Sequence, residues 1–174
     1  MYISVIDALS NNDLAAARDL LLEEVMRKTE GRKSWDCPHY TTDKEVQQGI
    51  RLNHATTANL EYFGLENMRD RYFLRGADGE ICENPQTFYA RVATGMARGE
   101  RELTQQLYDC MSRNWFIPGT PVLMNIGTRK GLPISCFLNT VPDTLEGIFE
   151  LYRENAFLAK YGGGIGTDWS QLRG

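Results

Sequence analysis

The stretch from Phe116 to Gly174 constrains the fold of this chain more than any other. It holds a Gly-Thr-Pro turn, then an apolar run with the pair Ser135-Cys136. The helix start Asp143-Thr144-Leu145-Glu146 follows, then a long helical stretch, then Gly162-Gly163-Gly164-Ile165-Gly166. Strands near 133–139 and 164–169 flank a helix over 144–160, the order of a parallel crossover unit. One such unit cannot bury both of its faces. A glycine loop that holds a ligand is also a poor end for a domain. The expectation is therefore the front end of something larger.

Upstream, residues 1–30 read as helical. Leu14, Leu20, Leu21, Leu22, Val25 and Met26 recur at three-to-four spacing, with Asn12 or Asp13 as cap. Glu23 and Glu24 precede Arg27 and Lys28 by four residues. Gly31 and Pro38 mark a loop over 31–42, and a further helix is expected over 43–63, ending at Gly64. Residues 71–83 read as a β-hairpin around Ala77-Asp78-Gly79. Asn84-Pro85 opens a helix near 86–98 with Phe88, Val92 and Met96 on one face. A second helix over 100–113 carries Leu103, Leu107 and Cys110. Residues 116–139 read as strand and turn. The fold class is α+β, with a helical region over 1–115 and the first elements of an α/β domain over 116–174.

Composition narrows the function classes. The chain has 174 residues and a net charge of −4, which argues against a broad nucleic-acid footprint. Small anionic ligands stay open, because a helix N-terminus binds phosphate without net positive charge. No apolar run approaches the roughly 20 residues that span a bilayer, and no signal peptide is evident. The expected compartment is the cytoplasm. Cys37, Cys82, Cys110 and Cys136 are widely spaced, which speaks against a zinc ribbon. Cys37, His39 and His54 offer too few ligands for a metal site.

Single residues here carry two readings each. Cys136 in an apolar strand is ordinarily a small buried residue. As a redox thiol it would need a partner to store two electrons as a disulfide. The glycine cluster follows a helix and precedes a strand, the wrong order for a dinucleotide fingerprint. It is either a tight turn or a close backbone approach to a ligand. Asp143 and Glu146 read as a capping box, although an acid here could also accept from a sugar hydroxyl. Arg173 is ordinarily solvated and could pair with an anion.

Taken together, these segments resemble the large catalytic subunit of ribonucleotide reductase. The resemblance covers at least residues 53–174 and is strongest from Phe116 onward. It rests on the order Thr120-Pro121, Ser135-Cys136, Asp143-Thr144-Leu145, helix, Gly163-Gly164-Ile165-Gly166, Arg173. The segment RYFLRGADGEICENPQTFYARVA also looks like that family's hairpin and following helix.

The resemblance implies a larger ten-stranded α/β barrel, incomplete here. It implies reduction of ribonucleotides to deoxyribonucleotides by a thiyl-radical mechanism. Cys136 would be one of two redox cysteines, and Thr120, Ser135, Cys136, Gly163 and Gly164 would hold the substrate. The glycine amides would face its phosphate or sugar. Asp143, Thr144, Leu145 and Arg173 would bind a dNTP or ATP effector, and the 144–160 helix would form a homodimer. The further partners implied are the remainder of the catalytic subunit, a radical-generating small subunit, and thioredoxin or glutaredoxin. This segment would bind no cofactor. Its radical would come from a metal-containing partner subunit or, alternatively, adenosylcobalamin.

The family's radical-bearing cysteine, its second redox cysteine and its C-terminal cysteine pair have no counterpart in these residues. Its regulatory ATP cone is not evident either. The chain alone is therefore expected to be inactive. A different class of function, a non-catalytic effector-binding and dimerisation module, predicts nucleotide binding and dimerisation without any partner chain.

Overall fold

The computed structural model describes residues 4–174. It divides into two compact units, one running through Lys130 and the other spanning Gly131–Gly174. The boundary read from sequence, at 115/116, falls 15 residues earlier than this division.

In the first unit, helix α1 (Val5–Ser10) starts at a reciprocal cap. Ser4 Oγ accepts from the Asp7 amide and the Asp7 carboxylate accepts from the Ser4 amide. Asn12 takes a left-handed turn at φ 57° and interrupts the helical stretch expected over 1–30. Asp13 then caps α2 (Leu14–Lys28), accepting from Ala16 N at 3.0 Å. The first three residues of that stretch lie outside the described residues. Ala17, Leu21 and Val25 recur every four residues along α2 and are fully buried. Of the two expected ion pairs, Glu24–Lys28 forms at 3.0 Å.

The helix expected over 43–63 does not form as one piece. Asp43 caps α3 (Lys44–Gln48), which stops at Gly49. The amides that would continue it are spent elsewhere. Arg51 N donates to Gln105 Oε1 at 2.9 Å, and Asn53 N donates to the Tyr108 hydroxyl at 2.7 Å. A 3₁₀ turn (His54–Asn59) and α4 (Tyr62–Asn67) follow, with Gly64 inside α4 rather than at its end.

A π-helical turn (Met68–Tyr72) takes the first two residues of the expected hairpin, while Gly76 N still donates to Glu80 O and Cys82 N to Leu74 O. A single antiparallel bridge, Arg75↔Ile81, remains around the Asp78-Gly79 turn. Gly79 sits at φ 80°, as that turn requires.

Helix α5 (Pro85–Ala97) begins as expected, with Asn84 as cap and Pro85 in the first turn. It is the centre of the unit: Phe88, Ala90, Val92 and Ala93 are buried, and Phe88 packs against Tyr72, Phe73 and Tyr89. Helix α6 (Arg101–Ser112) forms as expected, with Leu107 packed partly buried against the core. Thr104, Tyr108 and Met111 are buried, while Leu103 stays 36% exposed.

Arg91 of α5 is also fully buried. Its Nε donates to Glu83 Oε1 at 2.8 Å, and its Nη atoms donate to the carbonyls of Ile126, Tyr72 and Leu123. Leu74 N occupies the other carboxylate oxygen of Glu83. The bonds to Leu123 and Ile126 hold the C-terminal end of α7 (Thr120–Asn125). That helix replaces the strand and turn expected there, because Gly119 and Pro121 favour a helix start.

The second unit is the predicted crossover. Strand β1 (Cys136–Thr140), helix α8 (Leu145–Lys160) and strand β2 (Gly164–Asp168) follow in order. The strands pair in parallel, with Cys136 opposite Gly164 and Thr140 opposite Asp168. Helices followed by a parallel β-α-β unit confirm the α+β reading. No helix among the described residues is long and apolar enough to cross a membrane.

Candidate functional site: a thiol on the open face of a parallel strand pair

Side chains alternate along both strands. Phe137, Asn139, Ile165 and Thr167 are half-buried, whereas Cys136, Leu138, Thr140, Gly164, Gly166 and Asp168 are exposed. Cys136 is therefore not the buried strand cysteine that an apolar run ordinarily holds. It opens β1 on the exposed face, with the Cα of Gly164 as its register partner. Cys37 and Cys82 are buried and Cys110 is half-buried. Of the four thiols, Cys136 is the one open to a reagent or substrate. Leu138 beside it is 88% exposed.

The glycines do not offer their amides as the resemblance implies. Gly163 N donates to Leu158 O at 2.8 Å, and Gly164 N donates to Ser135 O at 2.6 Å. Both donors serve the turn and the sheet. Gly163 is required by packing: a Cβ there would come within 2.9 Å of the Phe137 ring and of Leu158 O. What Gly164 presents to the open face is a bare Cα. Ser135, Cys136, Gly163 and Gly164 are thus gathered at one end of the strand pair. Thr120 belongs to the other unit, at the start of α7, where its hydroxyl lies 3.3 Å from that of Tyr72.

The opposite end of the second unit gathers the second residue set. Thr144, not Asp143, caps α8, with its hydroxyl accepting from Gly147 N at 3.1 Å. The expected Asp143–Glu146 box is displaced because the helix starts at Leu145, one residue later than a cap at Asp143 would set. Gly147 permits the tight entry, since a Cβ would meet Pro142 at 2.7 Å. Asp143 is thereby released from capping. After β2 the chain turns through Asp168, whose carboxylate accepts from Ser170 N, and returns Arg173 to Asp143. Arg173 Nε lies 3.6 Å from Asp143 Oδ2, and its side chain is 82% exposed. A long ion pair between an exposed arginine and a half-buried aspartate, 3.6 Å apart, adds little stability and leaves Arg173 able to take a ligand. Leu145 is exposed beside them.

Two features escaped the sequence reading. One is the Glu83–Arg91 pair. The other is a hydrogen-bonded set, Asn139, Asn155 and Thr167, between the strands and α8. Its signal was present: Asn155 interrupts the otherwise apolar stripe Ile148, Leu151, Leu158, and Asn139 interrupts an apolar strand. Among the described residues no group of three or more His, Cys, Asp or Glu is arranged to hold a metal ion.

The fold and site define a class: a helical domain leading into the opening β-α-β unit of an α/β domain with a thiol on its open face. Comparison with known proteins gives the family. Residues 58–131 match the ribonucleotide reductase all-alpha domain, and residues 134–174 match the ribonucleotide reductase barrel domain. The chain is 35% identical over 162 residues to a ribonucleoside-diphosphate reductase subunit alpha from Chlamydia muridarum, covering 87% of this chain and 15% of that protein. It is 39% identical over 117 residues to the subunit alpha of Helicobacter pylori strain J99, covering 66% and 15%. It is 34% identical over 131 residues to the large subunit from Plasmodium falciparum, covering 75% and 16%. The chain belongs to the ribonucleotide reductase large-subunit family and spans a small fraction of the length of these relatives.

Proposed function

We propose that this chain forms part of a ribonucleotide reductase catalytic subunit and supplies one of its two redox thiols, Cys136. The observation that carries this reading is the exposure of Cys136 on the open strand face, in a segment that matches the family's barrel domain. In the reaction, the ribose 2′-hydroxyl leaves as water and a hydrogen replaces it at carbon 2′. Cys136 and a second cysteine each give up a hydrogen and join as a disulfide. The two electrons of the thiols are those gained by the sugar. A dithiol protein such as thioredoxin or glutaredoxin then returns the pair to thiols.

Ser135 and the bare Cα of Gly164 flank the thiol and make room for the nucleotide. Thr120, in the helical unit, is a substrate-binding residue on the family resemblance alone. Because their amides are spent, Gly163 and Gly164 act through shape and not as donors. The names of the relatives favour a nucleoside diphosphate as substrate. The radical that starts the reaction comes from a metal-containing partner subunit, with adenosylcobalamin as the alternative source. By itself the chain is inactive.

The N-terminal end of α8 is the effector site. Asp143 accepts from the ribose of a dNTP or ATP and Arg173 takes its phosphates, aided by the positive end of the helix dipole. Helix α8 also carries a second apolar row, Leu145, Phe149 and Tyr152, each more than half exposed, which packs against its mate in a second copy. The test is Cys136→Ser in the complex that this chain forms in its cells. Turnover with a dithiol reductant is expected to vanish while effector affinity persists. Surviving turnover would remove Cys136 from the reaction.

A further inference from the structure

On the side of the strand pair turned to α8, one rung departs from the apolar filling usual between a helix and a parallel sheet. Asn139 and Thr167 are register partners, and Asn155 of α8 lies against both. Asn139 Nδ2 donates to Asn155 Oδ1 at 2.8 Å, and Asn155 Nδ2 donates to Thr167 Oγ1 at 3.3 Å. Thr167 Oγ1 donates to Asn139 Oδ1 at 2.9 Å. Glu154 Oε2 accepts a further bond from Asn139 at 3.0 Å. Each member of the ring gives one hydrogen bond and receives one. A polar ring in a half-buried layer is tolerable only when it is satisfied in this way.

The ring supplies what β2 otherwise lacks. Gly164 and Gly166 leave Asp168, at the end of that strand, as its one side chain on the open face, and glycine-rich strands hold their register weakly. A slip of two residues would keep every side chain on its own face, so the apolar pattern alone does not forbid it. Such a slip would set Asn139 against Ile165 and break both bonds that Thr167 makes, to Asn139 and to Asn155. The same slip would remove Gly164 from its place beside Cys136.

We propose that the Asn139–Asn155–Thr167 ring is a register pin. It positions the Cys136 thiol beside the bare Cα of Gly164 and fixes both strands to α8. These are positioning residues that touch no reacting atom. Their relevance to catalysis rests on the reading of Cys136 as a redox thiol, but the pin itself does not.

The experiment replaces the ring with an apolar rung, Asn139→Leu, Asn155→Leu and Thr167→Val together, in the full chain within its native complex. Thr167→Val alone and Thr167→Ser are made alongside. Three quantities are read: hydrogen exchange at the Gly164 amide, iodoacetamide alkylation of Cys136, and kcat against KM for ribonucleotide reduction. In the triple variant, Gly164 exchange is expected to rise about tenfold or more. The Cys136 alkylation rate changes with it. Turnover is expected to fall roughly tenfold or more through kcat, with KM nearly unchanged. Thr167→Val moves the same quantities in the same direction by less, so a triple variant that fails to fold does not decide the matter. Thr167→Ser keeps the hydroxyl and behaves as the parent. Unchanged Gly164 exchange and Cys136 alkylation in Thr167→Val and the triple variant would overturn the pin. A parent complex without reductase activity, together with altered exchange in the variants, would overturn the reductase reading and leave the pin standing.

Discussion

In the helical unit the largest side chains are withdrawn from water. Phe88, Leu21, Leu65, Tyr108 and Met111 are fully buried, and so is the charged pair Glu83–Arg91. In the β-α-β unit the buried hydrophobics are Val141 and Leu151, while Leu138, Leu145, Phe149 and Tyr161 each stand more than half exposed. The helical unit has a core of its own, around α5. The β-α-β unit has one helix on one face of two strands, and Cys136, for which a redox role is proposed, stands on the other face. The stretch that carries that thiol is thus the one with the smaller core of its own.

The largest expected effect lies in the helical unit. Arg91→Met leaves the Glu83 carboxylate buried without its cation and should cost about 3–5 kcal/mol in urea unfolding. The double variant Arg91→Met, Glu83→Leu should recover most of that loss. Equal losses for single and double variants would mean that the pair is not acting as a unit. Next, Thr144→Ala removes the α8 cap and should cost about 1 kcal/mol in the same measurement. Asp143→Ala, which caps nothing, should cost far less but should weaken effector binding. A reversal of these two would restore the capping role to Asp143.

Leu138→Ser, on the open strand face, should change stability by less than about 0.5 kcal/mol. A large loss in the chain alone would contradict the contrast between the two units.

A smaller effect is set by pH. Burial pushes the Tyr89 phenol of α5 up to about 12 from an ordinary 10.0. Its contribution to stability is complete below pH 10 and lost as pH rises from there through about 12. Tyr89→Phe should flatten the alkaline limb of a stability–pH curve. An unchanged limb would assign it to other groups.

Local chemistry made part of this legible from sequence. Asn84-Pro85 starts α5 where a cap and a first-turn proline predict, and the order β1, α8, β2 follows from apolar runs and glycines. Long-range bonds hid the rest. The helix expected over 43–63 ends at Gly49 because Gln105 and Tyr108, more than 50 residues away, take the amides of Arg51 and Asn53. The π turn at Met68–Tyr72 shortens the first arm of the expected hairpin, and no periodicity announces it. At the site, sequence brought the right segments to attention but misjudged single atoms. The exposure of Cys136 depends on which face α8 covers, and the glycine amides are consumed by carbonyls of Leu158 and Ser135. Thr144 takes the cap because the helix begins one residue later than the Asp143–Glu146 spacing suggests.

The most direct test of the central claim is a single turnover of the native complex with a ribonucleotide and no external reductant. It is followed by acid quench, alkylation and peptide mass analysis. The account predicts that Cys136 is recovered in a disulfide in proportion to the deoxyribonucleotide formed, with Cys37, Cys82 and Cys110 still free thiols. Deoxyribonucleotide formed with Cys136 fully alkylated would contradict it.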